Sequence, residues 1–407
     1  MGTPQQYLPP TLSDPTIQSL LTSLSLPPAK LISPLIVAAA YHTLYLLTFP
    51  PEANAQGELA PALPQEPDGS TTLVLRVSGR HLPRIKTTNE VAVMQWVRAN
   101  TSIPVPAVVR FDATEANPLG HEYTLLERAP GISVDKVLDR LDEAARRDLV
   151  AQLADLVAQL HAHEWTAVGG LEPSSADGGG SAIVPGQVLD ETFWQAPDVE
   201  RYWPGGHETV STLNIGGPYE SYTALCAASV DKYVYAIERH ERLAWMRDLV
   251  PRLRAFVGLL RGGDGQGRAR ELKLDDTRLV LAHRDLHFAN IMLDPLTNRI
   301  TGILDWEFAG VVPASRWNPV KAFLWNMKEG DESRAEKAEL MRVFEEVCAV
   351  KGLTILSDAR ANEYQEAMQL VVNYVRAIVE VCPRGEKEEA AREWRRLAEE
   401  AMRKLGV

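Results

Sequence analysis

The sequence predicts an α+β protein in two parts, a small strand-rich part followed by a larger and mostly helical one. Alternating and Pro-containing extended segments crowd into the region before residue 130, and amphipathic helical stripes dominate from about residue 135. Short apolar runs of strand length return only between residues 279 and 304. These observations divide the chain into an N-terminal extension (1–34), a strand-rich part (35–129, with an insertion at 51–70) and a helical part (130–407).

"LIVAAAYHTLYLLTF", Leu35 to Phe49, reads as two buried strands with a tight connection. It is shorter than the ~20 apolar residues a membrane-spanning helix needs, and it carries Tyr41, His42 and Thr43. "PEANAQGELAPALPQEPDGS", Pro51 to Ser70, is a Pro/Ala/Gly-rich insertion. "TTLVLRVSG" alternates, with Leu73, Leu75 and Val77 on one face and Val74 and Arg76 on the other. "KTTNEVAVMQWVRAN" has helical periodicity, "IPVPAVVRFD" is held extended by its prolines, and "HEYTLLERAPG" is a strand ended by Pro130-Gly131. Beyond this, Leu149, Leu153, Leu156 and Leu160 form an apolar helix stripe, and helices are expected at 219–238, 243–260, 332–350, 359–381 and 386–405. Flexible connectors fall at 172–187 and 261–271.

The 407 residues carry a formal net charge of -12, so no broad basic face is on offer and a general nucleic-acid binder is disfavoured. Cationic small molecules suit that balance better. Cys226, Cys348 and Cys382 are odd in number and lack metal spacing, so they read as reduced thiols. "MGTPQQYLPP" lacks the basic-then-apolar order of a signal peptide. A cytoplasmic protein with no membrane partner is expected.

The chemistry concentrates in "LVLAHRDLHFANIMLDPLTNRITGILDWEFAG", Leu279 to Gly310. Asp285 precedes Asn290 by five residues, and Asp305 ends the apolar run Ile300–Leu304. Phosphoryl transfer needs a carboxylate to orient the acceptor hydroxyl and hard oxygen ligands for Mg²⁺. Asp285 suits the first task; Asn290 and Asp305 suit the second. A hairpin at "DPLTNR" would bring all three to one end of a small ribbon. Taken singly, each also reads as a loop-stabilising side chain.

"LAHRDLHFANIM…ILDWE" resembles the catalytic core of the aminoglycoside phosphotransferase family, and the long insertions and "DWEFAGVVPASRW" are similar to its fungal members. The resemblance covers residues 35–325 and implies a two-lobed protein-kinase-like fold. It also implies ATP and Mg²⁺ as cofactors, and transfer of the γ-phosphoryl group to a hydroxyl of an aminoglycoside-, amino sugar- or choline-like acceptor. Arg284 stands where the family usually has Gly, while His287 and Trp306 follow the small-molecule pattern. The resemblance further requires a cation on the third strand and a Glu on the next helix. Arg76 and Glu90 occupy those positions, Arg replacing the usual Lys. Arg76 reads equally as an outer-face residue of an edge strand, and Thr87-x-x-Glu90 reads also as a capping box. Glu127 and Ala129 fall where backbone groups would meet adenine. The stretch that should form the phosphate loop contains no Gly, leaving the amides of Ala40, Tyr41 and His42 to cradle phosphate.

His283 reads as structural. His287 reads as a satisfied loop histidine, with substrate contact the alternative. Trp194, Tyr202, Trp203 and Tyr219, with Asp190, Glu191, Asp198 and Glu200, would suit a cationic acceptor or equally an ordinary core beneath an acidic surface. The family's later acidic residues are replaced around Asn318-Pro319 and Lys321. A small-molecule kinase is therefore the leading expectation. A catalytically silent kinase-like binding protein is the alternative, and a protein kinase, which has only "HRD" in its favour, ranks last.

Overall fold

A computed structural model describes residues 8–36, 41–55, 59, 63–174, 182–262, 267–316 and 322–407. Five strands, β1 (Leu31–Leu35), β2 (His42–Phe49), β3 (Thr71–Ser78), β4 (Val108–Asp112) and β5 (Tyr123–Glu127), form one antiparallel sheet in the order β1-β2-β3-β5-β4. The alternation read from the sequence sets its faces. Leu73, Leu75 and Val77 join Tyr45, Leu47, Phe49 and Leu125 in one core. α1 (Asp14–Ser23) packs Ile17, Leu20 and Leu21 onto that face. α2 (Pro51–Ala55) opens the insertion after β2. The sheet thus begins before residue 35, and β1 is half exposed rather than buried, because it is the edge strand.

The opposite face carries Arg76 and receives α3 (Ile85–Asn100). Val93, Met94 and Val97 of α3 share a core with Leu126, the helix Glu143–His161 and the ribbon residues Leu281, Phe288, Ile291, Ile303 and Trp306. α3 therefore belongs as much to the ribbon as to the sheet. Gly131, at φ 99°, makes the crossing from β5, because a Cβ there would collide with the Leu293 carbonyl.

The helical part adds a third core built from the helices Tyr222–Arg239, Val250–Leu260, Glu363–Val381 and Glu388–Leu405. The expected helix at 243–260 is split, a 3₁₀ stretch over Glu241–Leu249 preceding the α-helix, with Pro251 at its start. Trp194 and Trp203 are buried in this core 5.6 Å apart, and Arg384 lies over Trp194. They are packing residues. Among the described residues no helix is long and apolar enough to cross a membrane.

Candidate active site

The ribbon forms as its turn chemistry dictates. Ile291–Leu293 pairs antiparallel with Ile300–Ile303, and Leu279–Ala282 with Gly310–Pro313. Phe288–Asn290 makes one 3₁₀ turn between them. The Leu304 amide donates to the Asn290 carbonyl at 2.8 Å, so the residues next to Asp305 are bonded directly to Asn290. His283 is fully used: Nε2 donates to the Leu304 carbonyl at 2.8 Å, and Nδ1 accepts from the Asp285 amide at 3.3 Å. Burial depresses its pKa, so it is a neutral strut.

Asn290 donates Nδ2 to the Asp285 carbonyl at 2.9 Å, leaving Oδ1 without a hydrogen bond among the described residues. The Asp285 carboxylate lies 3.5 Å from His287 Nε2. Burial pushes that carboxyl up, but the hydrogen bond and charge of His287 outweigh it, and Asp285 sits below the ordinary value. It is thus ionised and can accept a hydroxyl proton. His287 is not satisfied as expected, since its buried Nδ1 lacks a partner among the described residues.

Behind Asp305 lies a dry charge cluster. Arg76 donates Nη1 to Glu90 at 2.5 Å and Nη2 to Asp305 Oδ1 at 2.9 Å. The outer-face reading of Arg76 is therefore excluded, and so is the capping box. The helix begins at Ile85 with no side-chain cap, and Glu90, 1% exposed, is taken by Arg76. Burial opposes the charge on Arg76, but Glu90, Asp305 and Glu307 more than compensate and raise its pKa. Asp305 itself is held at φ 65°, a conformation that turns its carboxylate back towards the sheet side.

Sequence reading missed half of this cluster. Lys86, 1% exposed, donates to Glu307 at 2.7 Å and lies 2.7 Å from His42 Nε2. Asn89 donates to the carbonyls of Glu307 and Ala309 and accepts from the Leu171 amide. Burial pushes Glu307 up to about 7, with Asp305 adding and Lys86 and Arg76 opposing. The available signal was spacing: Lys86, Asn89, Glu90 and Val93 form one i, i+3, i+4, i+7 stripe, polar at its start.

Glu127 commits its amide and its side chain to the sheet. Its amide donates to the Ala107 carbonyl and its carboxylate accepts from the Ala107 amide, both at 2.9 Å, so it ties down the edge strand. Ala129 packs against Gly302, beside the ribbon. Of the expected phosphate loop, Tyr41 and His42 are described; Ala40 lies outside the described residues, as do Asn318, Pro319 and Lys321. Tyr41 stacks on His81 at 4.1 Å and donates to Glu191 at 3.3 Å. The other acidic residues of the segment 190–200 are paired: Asp190 with Arg284, Asp198 with Arg384, Glu200 with Arg80.

Among the described residues no three His, Cys, Asp or Glu side chains converge as a metal site. Asn290 Oδ1 and the Asp305 carboxylate offer one amide and one acidic oxygen. That sparse set fits Mg²⁺, which keeps waters and substrate phosphates in its shell. The buried Nε–H of Arg76 has no partner among the described residues.

The family model described as Phosphotransferase enzyme family matches residues 65–315. A subtelomeric hrmA-associated cluster protein of Aspergillus fumigatus is 27% identical over 262 residues, covering 56% of this chain and 50% of that protein. The chain thus spans about half the length of the curated relatives it matches. A clavilactone A biosynthesis cluster protein of Ampulloclitocybe clavipes is 57% identical over 37 residues, 9% of each chain. Two solved aminoglycoside phosphotransferases align at 13% identity. The gentamicin complex of APH(2")-IIa has a TM-score of 0.47, covering 97% of this chain and 96% of that one. ADP-bound APH(2'')-Ib has a TM-score of 0.48, covering 95% and 97%.

Proposed function

The chain belongs to the phosphotransferase enzyme family, and from that premise we propose that it moves the γ-phosphoryl group of ATP to a hydroxyl of a small molecule. The observation that carries this reading is the convergence at Asp305. The ribbon end that holds Asp285 and Asn290 meets the Arg76–Glu90 pair there, in one hydrogen-bonded assembly. Residues 35–129 supply the nucleotide side and residues 130–407 the acceptor side.

Asp285 orients the acceptor hydroxyl and takes its proton as the oxygen bonds to phosphorus and the bond to the ADP oxygen breaks. Asn290 and Asp305 would hold Mg²⁺, which when bound neutralises charge on the phosphates. Arg76 fixes Asp305 and Glu90 relative to each other through two different nitrogens of its planar fork. His283 keeps the loop in shape, and His287 holds the Asp285 carboxylate in its ionised form.

The Arg76–Asp305 contact also favours a second reading, a silent nucleotide- or partner-binding protein, because Arg76 occupies one oxygen of the metal carboxylate. A screen of hydroxyl compounds for Mg²⁺-dependent ATP consumption decides between them, with Asp285→Ala as the blank. Catalysis predicts turnover that falls ~10²–10⁴-fold in Asp285→Ala. Equal turnover in wild type and Asp285→Ala would remove Asp285 from the mechanism.

A further inference from the structure

Arg284 adopts φ 72°, where glycine sits without strain and a long side chain does not. Both terminal nitrogens of its guanidinium are nonetheless engaged. Nη1 donates to the Leu189 carbonyl at 2.6 Å and the Phe308 carbonyl at 3.3 Å, and Nη2 donates to Asp190 Oδ2 at 2.8 Å. Asp190 Oδ1 accepts in turn from the Thr192 amide at 3.0 Å and the Thr192 hydroxyl at 2.5 Å. One side chain therefore ties together the catalytic loop, the segment just after the metal carboxylate and the start of the acceptor-side segment.

The chain neighbours of this pair give it a consequence. Asp285 follows Arg284, and Glu191 follows Asp190. The Arg284–Asp190 bond thus joins the two segments that carry these carboxylates. Crowding by surrounding protein, and then the charge of Asp285, raise the Glu191 carboxyl. Tyr41, on the nucleotide side, donates to the same carboxylate. Every other acidic side chain of this segment up to Glu200 is held by an arginine, so Glu191 is the carboxylate presented to an acceptor.

We propose that Arg284 is a positioning residue that, by holding Leu189 and Asp190, sets Glu191 beside Asp285. Glu191 then selects acceptors with a hydrogen-bond donor next to the receiving hydroxyl. The selection step rests on the phosphotransferase reading; the clamp does not.

The test combines hydrogen exchange on the full chain with transfer from ATP to glucosamine, which carries an ammonium beside its hydroxyls. In Arg284→Gly, which suits the backbone at this position, the amides of 189–195 exchange about tenfold faster or more, as loss of charged hydrogen bonds requires. Arg284→Lys falls between this variant and wild type, and Glu191→Gln exchanges as wild type does. Arg284→Gly and Glu191→Gln each raise the KM for glucosamine about tenfold, the loss of one charged hydrogen bond, and leave the KM for ATP unchanged. Unchanged exchange in Arg284→Gly overturns the clamp. Faster exchange with an unchanged glucosamine KM overturns its role in acceptor selection. If the wild type transfers nothing to glucosamine, the failure lies with the phosphotransferase reading for this acceptor, and the exchange rates still decide the clamp.

Discussion

The catalytic ribbon, residues 283–305, and the cluster of His42, Arg76, Lys86, Glu90 and Glu307 meet at Asp305 but are built in different ways. The ribbon's polar groups bond mostly to backbone of the same loop, and Asp285 and Asp305 remain partly open to solvent. The cluster gathers charges from β2, β3, α3 and the segment after Asp305, and packs them dry. A lost side chain in the first leaves a loop that still folds. In the second it leaves an ionised group without water or partner, the costlier outcome. The proposed catalytic carboxylate thus sits where the backbone does the holding, while the cluster joins the strand-rich part to the ribbon.

Stability should separate the two regions most sharply. Lys86→Met removes the nearest cation from buried Glu307, leaving His42 at 3.6 Å and Arg76 at 3.9 Å, and should destabilise the protein by about 3 kcal/mol in urea unfolding, whereas Lys86→Met with Glu307→Leu recovers most of the loss. A single variant as stable as wild type would break the distinction. Arg76→Lys is expected to act next most strongly, on nucleotide affinity. A lysine reaches Glu90 or Asp305 but not both, so calorimetric affinity for ATP with Mg²⁺ should fall about 10–100-fold with a smaller change in stability.

A third effect, spread over several pH units, is a pH dependence on the cluster's flank. His81 is 1% exposed and its pKa is lowered from 6.5 to about 2, by burial and then by the charge of Lys86. A depressed histidine favours the neutral form. Its contribution is complete above the unfolded value of 6.5 and is lost as pH falls towards 2, at about 1 kcal/mol per pH unit. Urea midpoints between pH 7 and 4 should therefore fall less steeply in His81→Gln than in wild type. Parallel slopes would show that His81 is not held neutral.

The same contrast explains what the sequence could convey. Asp285, Asn290 and Asp305 lie on one local hairpin ribbon, so order, spacing and the turn between its strands placed them together. Glu90 was legible as a carboxylate on an apolar stripe that needed a cation, and Arg76 was that cation. Lys86 was legible only through its place on the Asn89–Glu90–Val93 stripe, and Glu307 not at all, since it is an ordinary polar residue until α3 is packed on the ribbon. Glu127 was assigned by position along a strand, and the structure gives its amide and carboxylate to Ala107. The acidic and aromatic segment after residue 189 was ambiguous for a further reason. Composition cannot distinguish carboxylates paired with Arg284, Arg384 and Arg80 from carboxylates left for a ligand.

The central claim is that the two regions jointly form a Mg²⁺-dependent nucleotide site served by a separate catalytic carboxylate. Titration calorimetry with ATP, with Mg²⁺ and with chelator, on wild type, Asp305→Ala and Asp285→Ala tests it most directly. The account predicts Mg²⁺-dependent binding that Asp305→Ala abolishes and Asp285→Ala retains. Equal binding in Asp305→Ala and wild type, or none by wild type at millimolar ATP, would contradict it.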